Sequence, residues 1–316
     1  MNRNMNAVPI HKMQGCGNDF VFIDNRKLAL PVSAMADWAK KVCRRAFGVG
    51  ADGLVFLEEA PDASVDYRWH FYNADGSRAE MCGNASRCAG LLAVKLGFAG
   101  PVHTFGSDAG PIRAEVDVEN CEVKVQLTPP KGLELNKSVD MPGLEGTIHF
   151  VNTGVPHAVY IHDDAAGLNV KTLGAHVRYH AAFAPAGTNA NFVTVLDRNN
   201  IHLRTYERGV EDETYACGTG AAAGVVVTNA LGLTESSVNV RSSGGEILGI
   251  SIENGCVHLK GKALNVYSGE MYLEALGLTL PYGTNGPLVR NSRSGRTLRQ
   301  REEEAICSLR VRLQRW

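Results

Sequence analysis

The chain has 316 residues, 44% of them hydrophobic, with 32 Lys and Arg against 33 Asp and Glu. That is enough apolar material for one large domain or two of ordinary size. A formal charge of −1 gives no basic excess for gripping a nucleic-acid backbone, no apolar run is long enough for a signal peptide or a bilayer span, and eight cysteines without clustered spacing do not make a disulfide scaffold. The expectation is a cytoplasmic globular protein with reduced thiols and a small-molecule partner, with neither nucleic acid nor membrane as partner.

In chain order, a β-branched run predicts a strand at 21–24, and helical periodicity predicts a helix over 32–45 with Ser33 placed to cap it. A strand at 67–72 precedes a helix over 84–96, and strands follow at 113–118 and 123–127. Then come a helix over 171–179, strands at 192–196 and 202–206, and a helix over 218–231. The last helix carries Ala221, Ala222, Ala223, Gly224, Val225, Val226 and Val227, so it is apolar on nearly every face, and 85–96 is nearly as apolar. Helices of that kind must be enclosed. The predicted class is α+β, with mixed sheets and two enclosed helices. From 285 to 316 there are eight arginines against three glutamates, which predicts a separate, basic, solvated and poorly ordered extension.

The two apolar helices begin in matching contexts. FYNADGSRAEMCGN at 71–84 can be laid over TYERGVEDETYACGT at 205–219 with one residue inserted. Tyr72 falls on Tyr206 and Cys82 on Cys217. Each copy reads strand, polar turn, acidic stretch, Cys-Gly and apolar helix, the mark of an internal duplication. A duplicated fold packed about a pseudo-twofold axis brings equivalent positions face to face across its cleft, and here those positions are thiols.

Two thiols of matched acidity can take a proton from one face of a carbon and return one to the other face, exchanging roles for the reverse reaction. Each cysteine stands at the first turn of a helix, where unpaired N–H groups and the helix dipole favour an anion. The placement predicts a lowered thiol pKa, and the same N–H groups can hold a carboxylate. A cysteine at a helix start also fills space in a core, but a matched pair in a duplicated context weighs against that reading.

At these residues the chain resembles the diaminopimelate epimerases, through KMQGCGNDF, GVGADGL, FYNADGSRAEMCGN, NTGVPH, GTNANFV, YERGVEDET and ACGTGAAA, over roughly 10–282. The resemblance implies two pseudo-symmetric domains, each a mixed β-sheet rolled around a central helix. It divides the chain into 8–130 with 268–283, carrying Cys82, then 131–267, carrying Cys217, and the basic tail 284–316. It implies isomerisation of LL- to meso-2,6-diaminopimelate in lysine and peptidoglycan precursor synthesis, without pyridoxal phosphate, metal or other cofactor, by a homodimer. Cys82 and Cys217 are then the acid–base pair. Asn18, Asn73, Gly83 and Asn84 from the first half, and Asn189, Glu207, Arg208, Gly218 and Thr219 from the second, would hold the substrate. Arg208 would grip the distal carboxylate and Glu207 an ammonium group. His157 is expected to support the site or to be a structural histidine.

The chain departs from the family where GVPH replaces GNPH, so Val155 supplies no amide, and where Ala85 and Ser86 replace Gly-Ala after the first thiol. Relatives with the same thiols act on other amino acids, such as histidine or proline derivatives, but need not recognise a second amino-acid head group. A redox-switched binding protein is the alternative from another class, though no C-x-x-C supports it. Cys82 and Cys88 with His176 and His180 lack the paired spacing of a zinc site.

Overall fold

The structure is a computed structural model that describes residues 7–280; the basic extension predicted at 284–316 lies outside the described residues. The first repeat runs β1 (Ala7–Gly15), β2 (Asn18–Asp24), α1 (Asn25–Leu28), α2 (Val32–Val42), β3 (Gly53–Glu59), β4 (Tyr67–Asn73), α3 (Gly83–Lys95), β5 (Val102–Ser107), β6 (Gly110–Asp117), β7 (Glu122–Gln126) and β8 (Lys131–Ser138). The second runs β9 (Thr147–Asn152), β10 (Pro156–Ile161), α4 (Val170–Arg178), β11 (Asn189–Asp197), β12 (Asn200–Glu207), β13 (Asp212–Thr214), α5 (Gly218–Ala230), β14 (Ser237–Arg241), β15 (Ile247–Glu253), β16 (Cys256–Lys262) and β17 (Leu264–Tyr272).

The duplication read from the motifs extends to the strand pairings. In the first repeat β1–β2 is antiparallel, β2–β3 parallel, β3–β4 antiparallel, β4–β5 parallel, and β5–β6 and β6–β7 antiparallel. The second repeats that order through β9–β10, β10–β11, β11–β12, β12–β14, β14–β15 and β15–β16, with β13 added as a short hairpin partner of β12. The closing strands β7 and β16 pair antiparallel. The eighth strands are exchanged: β8 pairs with β9 of the second repeat, and β17 with β1 of the first.

Each sheet curls around its own helix, as the apolar helices require. In α3 the buried run extends from Gly83 to Ala93, and in α5 from Gly220 to Thr228. Val123, Val125, Leu127, Ile250, Val257 and Leu259 line the joint core between them. A second cluster, with Phe183, Phe192 and Tyr206, packs α4 on the outer face of the second sheet. The described residues up to Thr279 form one compact unit.

Two local expectations are corrected. Ser33 does not cap α2; Pro31 occupies the N-cap without a side-chain hydrogen bond, its fixed φ of −68° suiting a helix entry. The helix stops at Val42 rather than 45, because the chain turns back so tightly that a Cβ on Gly48 would lie 2.3 Å from the Lys41 carbonyl oxygen. The sequence reading missed several strands, β1, β3 and β14–β17 among them, although β14 and β16 alternate between buried and more exposed positions.

Candidate active site

The two Cys-Gly pairs end extended segments and open helices. Cys82 is the N-cap of α3 (φ −146°, ψ 123°) and Cys217 the N-cap of α5 (φ −117°, ψ 110°), so each sulfur stands at the mouth of a helix first turn. The next residue is glycine in both, where a side chain would require Leu259 to move. A Cβ on Gly83 would come within 2.7 Å of Leu259 Cδ2, and one on Gly218 within 2.9 Å of that same carbon. Leu259 lies on β16, so one methyl group at the seam of the two repeats lies close to both helix N-termini.

Cys217 is buried and accepts a hydrogen bond from Gly220 N at 3.4 Å, with Thr219 Oγ1 at 3.5 Å. Cys82 is half-buried, and its Sγ lies 3.7 Å from Asn18 Oδ1. The expected lowering of the thiol pKa values is not found. Burial, and after it the nearby Glu207 carboxylate, push the Cys217 thiol up to about 12, against the smaller pull of Thr219 and the Gly220 amide. Burial also raises Cys82, opposed by the Ala85 and Asn84 amides and by the Arg87 guanidinium. The helix termini act in the predicted direction, but removing a thiolate from water costs more than two amides return. A Cys82 thiolate raises the Cys217 pKa, so ionisation of both thiols at once is opposed. Ala85 stands where the family has glycine, and its backbone amide still lowers the Cys82 pKa.

Asn18 opens β2 after a two-residue turn in which Cys16 (φ 57°) and Gly17 (φ 76°) both adopt left-handed backbone. Its Nδ2 donates to Asp52 Oδ2 at 2.6 Å, and its Oδ1 accepts from Asn84 Nδ2 at 3.3 Å. Asn84 Oδ1 in turn accepts from Arg87 Nη2 at 2.9 Å. Asn73 is exposed and bonds Ser77 Oγ at 3.0 Å in the loop before Cys82; the structure gives it no contact with either thiol.

On the second side the backbone sets the polar groups. Asn189 donates to the Pro156 carbonyl and accepts from Arg208 N at 2.7 Å, while Arg208 Nη1 donates to the Ala186 carbonyl. Glu207 and Arg208 are not paired with each other; burial raises the Glu207 carboxyl pKa, with Thr214 pulling it back. Thr219 O accepts from Thr153 Oγ1 at 2.8 Å. Val155 is half-buried and brings no amide.

His157 is buried, and burial lowers its pKa to about 3. Its Nδ1 faces Asn191 Nδ2 at 3.0 Å, and that amide also donates to the Ala158 carbonyl while its oxygen accepts from Thr205 Oγ1. With Asn191 Nδ2 as donor, Nδ1 accepts and the His157 proton is assigned to Nε2, a buried atom that has no hydrogen-bond partner among the described residues. The histidine is neutral and part of a rigid floor. Asn191 Oδ1 would lie 2.5 Å from a Cβ on Gly220, so this floor touches the first turn that holds Cys217.

Sequence reasoning missed Asp52, Arg87, Asn191, Thr205 and Leu259. Asp52 and Asn191 do stand inside the quoted segments GVGADGL and GTNANFV. Nothing in the sequence marks Leu259 as shared by both helices. Two outer cavities, one beside Tyr160 and His162 and one beside Arg204, Glu213 and Tyr215, include neither thiol.

This geometry is an enclosed site with two thiols, two helix N-termini and flanking amides. A family model described as diaminopimelate epimerase matches residues 10–133 and 149–264. The chain is 44% identical over 274 residues to the diaminopimelate epimerase of Aquifex aeolicus, covering 84% of this chain and 98% of the relative. It is 43% identical over 279 residues to that of a Hydrogenobaculum species, covering 84% and 99%. Among solved structures it resembles a hydroxyproline epimerase from Agrobacterium vitis (TM-score 0.64, 16% identity, 88% of this chain and 97% of that one). It also resembles a methylitaconate-delta-isomerase (TM-score 0.60, 14% identity, 90% and 100%). These structural likenesses establish the fold.

Proposed function

The chain belongs to the diaminopimelate epimerase family, and from that membership we propose that Cys82 and Cys217 are the two reacting thiols of its isomerisation. The enzyme is an isomerase that epimerises LL-2,6-diaminopimelate to the meso form, a step of lysine and peptidoglycan precursor synthesis. The observation carrying the residue assignment is the convergence of both cysteine-bearing helix N-termini on Leu259.

One cysteine as thiolate removes the α-hydrogen from one face, and the other as thiol delivers a proton to the opposite face. Charge developing on the α-carboxylate is met by the open N–H groups of two helices, which are already oriented. A two-base exchange needs only one thiolate at a time, in keeping with the opposition that a Cys82 thiolate offers to ionisation of Cys217. Asn18, Asn84, Asn189, Glu207, Arg208, Gly83, Gly218 and Thr219 hold the substrate, with Arg208 on the distal carboxylate and Asn73 meeting the ligand from its loop. His157 supports Asn191 and takes no part in proton transfer. The same reading places the two halves at 8–130 with 268–283 and at 131–267.

Among the described residues no helix is long and apolar enough to cross a membrane, in keeping with a cytoplasmic site of action. The outer strand β17 leaves Val266, Tyr267 and Tyr272 exposed, in keeping with a homodimer, which sedimentation would test.

Incubating the reduced protein with LL-diaminopimelate in deuterated water should give α-deuterium incorporation and the meso form without added cofactor. Exchange with another amino acid but not with diaminopimelate would reassign the substrate. Exchange that survives Cys82→Ala or Cys217→Ala undiminished would defeat the thiol assignment.

A further inference from the structure

Arg87 is an unusual resident of an enclosed helix. It is wholly buried inside α3 and, among the described residues, its guanidinium meets no carboxylate. Its partners are neutral: Asn84 Oδ1 at 2.9 Å, Cys16 Sγ at 3.2 Å, and the Lys262 and Gly83 carbonyls at 3.3 and 3.5 Å. Two glycines on facing strands make room for it. A Cβ on Gly15 would lie 3.1 Å from Nη2, and one on Gly261 3.2 Å from Nε. Burying a cation without an acid is costly, and an apolar replacement often stabilises a fold. Counted from the two cysteines, the equivalent position in α5 is Ala222, so the repeat needs no charge there for packing.

From Arg87 the hydrogen bonds run in one direction. Arg87 can only donate, so Asn84 must present its oxygen to it and turn its Nδ2 toward Asn18. Asp52, ionised, can only accept, so Asn18 must present Nδ2 to it and turn Oδ1 toward Asn84 and Cys82. Asp52 is itself braced by Asp19 N at 3.1 Å and Arg45 Nη2 at 3.0 Å. We propose that Arg87 and Asp52 are positioning residues, the two charged ends of one chain, Arg87–Asn84–Asn18–Asp52, that fixes which amide atoms face Cys82.

The inference rests on Cys82 being a reacting thiol, but its test reads the thiol itself. The charged and titratable groups around the chain are Glu207, Cys217 and Cys88 near Cys82, Cys16 with Glu246 beside Arg87, and Asp19, Lys12 and Arg45 beside Asp52. The experiment is the pH dependence of iodoacetamide alkylation at Cys82 and at Cys217, mapped by mass spectrometry in the whole protein, alongside kcat and KM. Arg87→Met removes the cation and frees the Asn84 oxygen, so the Cys82 midpoint should rise by on the order of one pH unit. Asp52→Asn lets Asn18 turn its Nδ2 toward the sulfur, so the midpoint should fall. In both the Cys217 midpoint should move by less than that of Cys82, through the coupling of the two thiols alone, and kcat should drop roughly tenfold or more, as for any misplaced reacting group. Arg87→Lys should recover part of the loss.

Shifts of the same sign in the two variants, an unmoved Cys82 profile, or a Cys217 midpoint moving as far would overturn the proposal. If Arg87→Met does not fold, Asp52→Asn, at the partly exposed end of the chain, decides alone. Full turnover in Cys82→Ala would instead remove the functional reading while leaving the alkylation result intact.

Discussion

Helices α3 and α5 occupy equivalent places in the two repeats, yet they are filled differently. The buried stretch of α5 is Gly, Ala and Val apart from Thr228, whereas α3 buries Asn84, Ser86, Arg87 and Cys88 among its apolar residues. Around the thiols the contrast persists: charges at Arg87 and Asp52 set the amides beside Cys82, while Asn191, against the first turn that holds Cys217, is set by the uncharged His157 and Thr205 side chains and the Ala158 carbonyl. A duplication supplies two thiols in register, and divergence inside the helices makes their surroundings unequal. Symmetry is thus a property of the frame, and electrostatics a property of each half.

The comparison breaks most severely at its common element. Cys82→Ala and Cys217→Ala should each lower epimerisation on the order of 10³-fold or more, since general acid–base catalysis is worth about 10²–10⁴. If one variant kept most of its turnover while the other lost it, the two-base account would give way to a one-base mechanism. Oxidation that joins the two thiols should likewise abolish turnover reversibly; a mass map with both thiols free in inactive protein would exclude that link.

The next effect separates the halves. A methyl on Gly220 would meet Asn191 Oδ1 at 2.5 Å and Thr205 Oγ1 at 3.2 Å, whereas the matching position in the first half already holds Ala85. Gly220→Ala should cost about 1–3 kcal/mol through overpacking and turnover on the order of 10-fold or more. Ala85→Gly should cost no more than about 1 kcal/mol, the helix-propensity difference. Similar losses in both, by urea unfolding and initial rate, would make the floor beneath Cys217 irrelevant.

The last expected difference concerns alkaline stability. Burial raises Cys16, Cys43 and Cys88 in the first half to about 12 each, while only Cys217 in the second half reaches that value. The folded state holds these protons more tightly than the unfolded chain, whose thiols titrate near 9. Their stabilisation is therefore complete below pH 9 and is lost as pH rises toward 12. Urea midpoints followed by the fluorescence of buried Trp38 and Trp69 should fall over that window. Cys43→Ala should flatten the fall, and an equal slope in that variant would discount the burial effect.

The parts of this molecule legible beforehand were those written in residue identity. An all-round apolar helix announces its enclosure, and a Cys-Gly pair repeated before two such helices announces both the duplication and the paired thiols. The same reading misjudged the thiol acidity, because helix termini are visible in sequence and the depth of burial around them is not. Arg87 was illegible for a related reason: an arginine in a helix is ordinarily solvated, and only the packing of Gly15 and Gly261 around it reveals otherwise. Ser33 failed as a cap because Pro31 already suited the entry. Leu259 gives no sign of its role, since meeting two helix ends depends on strands brought together from distant parts of the chain.

The exchange of eighth strands bears on how the chain reaches this state. Ala7 pairs with Tyr272 and Gln14 with Leu264, so the strand leading into the Asn18 turn gains its outer neighbour only from the far end of the described chain. Contacts of such sequence separation are slow to form, because the loop must close before they contribute. During synthesis the first repeat would wait, one edge bare, until nearly every residue of the second had been made. A nascent chain stopped before residue 264 should remain open along β1, exposed to proteases and to other strands.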